Sequence, residues 1–123
     1  MNVKAIDFIM YPASDYKRTV SFYRDTLGLK LTSEYGGFWA EFETGNATLA
    51  ISTYSQPKEG VRGGGAAVAL AVDDVRKAVA ELKAKGVSIK AEPEETGVCF
   101  MATIVDPDGN EIILHHRRDG SAG

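Results

Sequence analysis

The two halves of the chain place the same chain-breaking signals at nearly the same spacing, although the residues between those signals differ. Each half opens on an apolar run read as a strand, Ile6 to Tyr11 and Ala66 to Val72, and each run leads into a helix. In the first helix Ser14 and Asp15 are the N-terminal signals, Tyr16, Val20, Tyr23 and Leu27 form one apolar stripe, and Gly28 is the stop. The second uses Asp73 and Asp74, then Val75, Val79 and Leu82, with Lys83 and Lys85 ahead of Gly86. Asp15 and Asp74 lie 59 residues apart, and Gly28 and Gly86 lie 58 apart. A repeat of this length marks two copies of one supersecondary unit.

After each helix the pattern changes to short β-rich runs between turn signals. In the first half these are Leu29 to Tyr35, Phe38 to Glu43 and Ala47 to Thr53, broken by Gly36-Gly37 and Gly45-Asn46. In the second they are Val87 to Ala91, Val98 to Val105 and Glu111 to His116, broken by Pro93 to Gly97 and by Asp106-Pro107-Asp108-Gly109-Asn110. The predicted fold is α+β, a single domain of two tandem βαβββ modules forming a curved mixed sheet with a cleft, helices on the outer face. Module one takes residues 3–54, a polar glycine-rich linker 55–65, module two 66–116 and a tail 117–123.

Composition narrows the function classes. With 44% apolar and 25% charged residues in 123, the chain reads as an ordinary globular domain. A net charge of -3 with mixed signs leaves no basic patch for nucleic acid, and no run has membrane-spanning length. The first seven residues carry no secretory pattern, so a cytoplasmic address is expected. Cys99, the only cysteine, excludes an internal disulfide and a cysteine-cluster zinc site, and reads as a buried small hydrophobe. The glycines between Gly60 and Gly65 precede a strand and lack the Gly-Lys-Ser/Thr ending of a phosphate-binding loop. No serine or cysteine triad is visible.

The Ser14-Asp15 and Val72-Asp73-Asp74-Val75 helix starts, the segment from Phe22 to Leu29 (FYRDTLGL) and the segment from Asp106 to Ile112 (DPDGNEI) resemble the vicinal oxygen chelate superfamily, which includes glyoxalases, bleomycin resistance proteins and extradiol dioxygenases. The resemblance covers residues 5–116. Phe22 and Tyr23 are read as core, and Asp106 to Gly109 as a structural turn. Metal-using relatives carry His, Glu or Gln on the first and last strands of each module. The matching positions here are Phe8 and Ala67, seven residues before Asp15 and Asp74, and Leu49 and Ile113, four residues past Gly45 and Gly109. A longer first hairpin replaces Leu49 by Ile51. All are apolar, so neither a metal nor another cofactor is expected. His115 and His116 adjoin on one strand and point to opposite faces, which rules out a two-histidine triad within the chain. A site from His115, Glu41 and another acid is the remaining metal arrangement.

Phe8, Leu49 or Ile51, Ala67 and Ile113 would then line an apolar cleft, with His115 on the face of Ile113 and Trp39 as a stacking platform, Tyr54 nearby. Phe38 and Phe42 are expected in the core, while Trp39, Glu41 and Glu43 share the other face, which either lines the cleft or is solvated. The expected function is metal-independent binding of a small, partly hydrophobic organic ligand, as the likeness to the bleomycin-resistance branch implies. One alternative is a metal-independent isomerase or lyase with Glu41 or His115 as general base. Another is a metal-dependent glyoxalase or dioxygenase type with a non-standard site. A ligand-binding protein suits the residues better than either metal enzyme. The resemblance also implies a homodimer.

Overall fold

A computed structural model of the chain describes residues 2, 7–53 and 66–121. The expected linker, Tyr54 and the start of the first predicted strand lie outside the described residues. The chain divides into two compact units, Met1–Gly60 and Val61–Gly123. In the first, β1 (Phe8–Pro12) leads to α1 (Tyr16–Ser21), then to β2 (Lys30–Tyr35), β3 (Trp39–Glu43) and β4 (Thr48–Ser52). In the second, β5 (Val68–Ala71) leads to α2 (Val75–Ala84), β6 (Ile89–Glu95), β7 (Cys99–Val105) and β8 (Glu111–Arg117). The strand orders are β1-β4-β3-β2 and β5-β8-β7-β6. In both sheets the first strand of the module pairs parallel with the last and the other pairs are antiparallel, so the mixed sheet comes as two four-stranded sheets built alike.

The helix starts follow their aspartates. Asp15 Oδ1 accepts from the Arg18 N–H at 3.1 Å, and Asp74 Oδ1 from the Lys77 N–H at 3.0 Å, each satisfying a donor that the first turn leaves orphaned. The first helix, expected as one run to Leu27, instead widens after Ser21 into a π-helical turn over Phe22–Thr26, closed by Leu27 N–H donating to the Phe22 carbonyl at 2.9 Å. The extra residue in the turn lets neighbouring Phe22 and Tyr23 both turn inward, with ring centroids 5.2 Å apart and Tyr23 5.7 Å from Phe42. Strand β6 also departs from expectation by running through Pro93 to Glu95. It is an edge strand, its register slips between Ala91 and Glu94, and an edge tolerates a residue without an N–H.

Each module buries the sheet face under its helix. In the first that core is Tyr11, Val20, Tyr23, Ala40, Phe42, Leu49 and Ile51; in the second it is Val75, Val79, Leu82, Ala102, Ile104, Ile112 and Leu114. Among the described residues no helix is long and apolar enough to cross a membrane.

The β7–β8 turn is held by a buried carboxylate. Asp106 Oδ1 accepts from the N–H groups of Asp108 (2.9 Å) and Asn110 (2.8 Å), Oδ2 accepts from Asn110 Nδ2 (2.8 Å), and Gly109 takes the positive φ of 82° that the turn requires. Its acids serve structure, as expected. Asp106→Ala would leave two buried backbone donors without their acceptor, and we expect it to lower unfolding stability by about 2–4 kcal/mol, read as a lower urea midpoint at unchanged m-value.

Candidate functional site

Strand pairing decides which side chains face away from the helices. In module one Phe42 pairs with Leu49 and Ala40 with Ile51, all on the helix side, whereas Glu41 pairs with Ala50 and Trp39 with Ser52 on the helix-free side. Carrying the register outward places Phe8, Met10 and Pro12 of β1, and Lys30, Ser33 and Tyr35 of β2, on that helix-free side as well. Leu49 and Ile51 are therefore core residues and do not line the helix-free face. Strand β8 begins two residues after Gly109, whereas β4 begins three residues after Gly45. That one-residue difference reverses the face, so the position matching Ile113 is Ala50.

Trp39 organises the helix-free face of module one. Its indole Nε1–H donates to Glu41 Oε2 at 2.9 Å, two residues along the same face. The Phe8 ring meets the Trp39 ring edge to face, centroids 5.4 Å apart at 89°. Tyr35, paired directly across from Trp39, is 54% exposed, and Phe8 is 48% exposed. Sequence reasoning missed Tyr35. The signal was present in its position on the far side of Gly36-Gly37 from Trp39, a hairpin that sets the two rings on one face. Phe38, expected in the core, is exposed because it belongs to that turn, where its N–H donates to the Tyr35 carbonyl at 3.1 Å. Glu43 lies 3.9 Å from Lys30.

The hairpin is tied back to the helix by Tyr16, whose hydroxyl donates to Glu34 Oε1 at 2.5 Å and lies 3.4 Å from the Trp39 carbonyl. Burial, then the hydrogen bond and charge of Glu34, push the Tyr16 phenol up to about 12.

In module two the same argument places Ala69, Ala71, Ile113, His115, Met101 and Thr103 on the helix-free face. Ala67 lies just ahead of β5 and is exposed. His115 is half-buried and shares a face with Ile113, as alternation requires, while His116 turns the other way and places Nδ1 3.0 Å from the Val72 carbonyl. Cys99 is buried, with its thiol 3.2 Å from the Thr96 hydroxyl.

On this register the positions that the resemblance implies for a metal become Phe8, Ala50 in place of Leu49 or Ile51, Ala67 and Ile113, and none of these side chains carries a donor atom. Glu41 and His115 occupy helix-free faces of different modules, and among the described residues no three His, Cys, Asp or Glu side chains are grouped to hold an ion. The residues present do not fit a transition metal of the family kind.

Two expectations follow from this placement. Leu49→Ala empties a core position and costs about 2–5 kcal/mol, whereas Phe8→Ala removes a half-exposed ring and costs about 1 kcal/mol, both read by urea unfolding. In an alkaline titration followed by phenolate absorbance, the component near pH 12 is absent from Tyr16→Phe. Because the folded phenol titrates above the usual 10, its stabilising contribution is complete below pH 10 and is lost as pH rises towards 12.

The profile of the glyoxalase/bleomycin resistance protein/dioxygenase superfamily matches residues 5–114. The lactoylglutathione lyase of Salmonella typhimurium is 31% identical over 129 aligned residues, which cover 93% of each chain. The probable chloroplastic lactoylglutathione lyase of Arabidopsis thaliana is 32% identical over 89% of this chain, which spans only 35% of that protein's length. Among solved structures, TnmS3, an antibiotic binding protein from Streptomyces sp. CB03234, aligns with a TM-score of 0.77 at 27% identity, over 95% of this chain and 98% of that one. The chain belongs to the glyoxalase/bleomycin resistance protein/dioxygenase superfamily.

Proposed function

We propose that the protein binds a small, partly hydrophobic organic ligand on the helix-free face of module one, without a metal. The observation that carries this reading is the arrangement of Trp39, Phe8 and Tyr35 around Glu41 on a sheet face whose family ligand positions are apolar. Exposed aromatic rings offer stacking area at little entropic cost, and a carboxylate oriented by an indole N–H supplies one directional acceptor. The structural likeness to a protein named as antibiotic binding supports the same reading.

A second reading keeps catalysis. The kinship with lactoylglutathione lyases and the oriented Glu41 carboxylate favour a metal-independent isomerase or lyase in which Glu41 abstracts a proton. Turnover of a bound ligand that disappears in Glu41→Gln would favour it over simple binding.

The chain has one tryptophan, so its fluorescence reports on the proposed site directly. In a screen of aromatic metabolites and antibiotics, binders quench Trp39 with the same affinity in the presence and absence of a metal chelator. Trp39→Ala weakens those binders roughly tenfold, measured by calorimetry. Metal content by elemental analysis is expected to stay well below one ion per chain. A stoichiometric ion that survives dialysis, or binding abolished by chelator, would sink the metal-free reading.

A further inference from the structure

We infer that the helix-free face of module one selects a cationic aromatic molecule, an aryl ring carrying an ammonium or amidinium group, with Glu41 as the residue that reads the charge. Resting on the ligand-binding reading above, this names the ligand class. The residues that share the face with Glu41 include one cation, Lys30, and its nearest acid is Glu43, at 3.9 Å. Glu41 has no such partner among the described residues. Its neighbours across the sheet are Ser33 and Ala50, it is half-buried, and the one hydrogen bond to its carboxylate among the described residues is the neutral indole N–H on Oε2. An indole donor orients a carboxylate and leaves its charge uncompensated, so Oε1 remains available for a charge-assisted bond to a ligand cation.

The surrounding rings favour the same charge. Phe8 and Trp39 meet edge to face, an arrangement that turns the electron-rich face of one ring toward the edge of the other, and Tyr35 lies across from Trp39 at the exposed end of the row. Ring faces attract a cation within about 6 Å, and more strongly where water is partly excluded. A ligand anion gains neither contact and meets both Glu41 and Glu43. Neutral aromatics keep the stacking and lose the charge term, so they rank between the two. Glu41 is then the specificity-determining residue, and Trp39 both its positioning group and part of the platform.

Three probes of one shape test this at neutral pH: naphthylmethylamine, which is protonated there, naphthalenemethanol and naphthoate, titrated calorimetrically into the full chain. The amine is expected to bind tighter than the alcohol by roughly ten- to hundredfold, with naphthoate weakest. In Glu41→Gln the amine loses most of its advantage over the alcohol, keeping only the smaller part that the ring faces supply, while the alcohol is unchanged and Glu41→Asp keeps most of the preference. Equal affinity for the three probes, tightest binding of naphthoate, or a preference that survives Glu41→Gln undiminished in a folded variant would each overturn the charge selection and leave the binding reading standing. Failure of all three to bind at millimolar concentration would overturn both.

Discussion

The register of β3 on β4 governs the module that carries the candidate site. Setting Phe42 against Leu49 and Glu41 against Ala50 sends one row under the helix, where Phe42 is fully buried against Tyr23, and the other row away from it. Side chains alternate with a period of two, so a shift of one residue would send Glu41 into the core and expose Phe42. Burying an unpaired carboxylate costs several kcal/mol, and losing a fully buried aromatic costs about as much again. That penalty is large on the scale of a domain's total stability, so the register has no close competitor. The hydrophobic core and the candidate site are two faces of one pairing decision.

Much of this was legible in the chain itself. The paired aspartates and glycines mark both helix boundaries because caps and left-handed stops are local devices whose chemistry depends on few other residues. Asp15, Asp74 and the Asp106 turn behave as read. The β7–β8 hairpin was equally readable, since its turn has a fixed length, and Ile113 and His115 stand on one face as expected. What escaped the sequence was any feature that depends on counting across a turn of unknown length. Leu49 and Ile51 fell on the wrong face because β4 begins one residue later than the second module's pattern suggests. Phe38 looked like a strand residue by alternation, yet it is consumed by the turn after Gly36-Gly37. The π-helical turn at Phe22 left no mark in the apolar spacing, because inward packing of two adjacent aromatics is a tertiary preference overriding a local one.

Trp39 links the two levels of the structure. Its backbone carbonyl lies near the Tyr16 hydroxyl that also holds Glu34, so the helix start is coupled to the β2–β3 hairpin. Its side chain faces the other way, toward Phe8 and Glu41. A ring anchored through its own strand on one side and hydrogen-bonded on the other has little conformational freedom left to lose.

The apolar family positions and the acid on β3 make sense together. Ala50 is fully buried although it lies on the helix-free face. A carboxylate or imidazole at that position would be desolvated, and only a bound cation or an equivalent charge could offset the penalty. Phe8 lies across from Thr48 and Met10 across from Ala50, so β1 supplies no such charge, and the β3 residue across from Ala50 is Glu41, which would repel a second carboxylate. A small aliphatic residue at 50 avoids that penalty, while a carboxylate is tolerable one strand over, at half-buried Glu41, where the indole satisfies one oxygen.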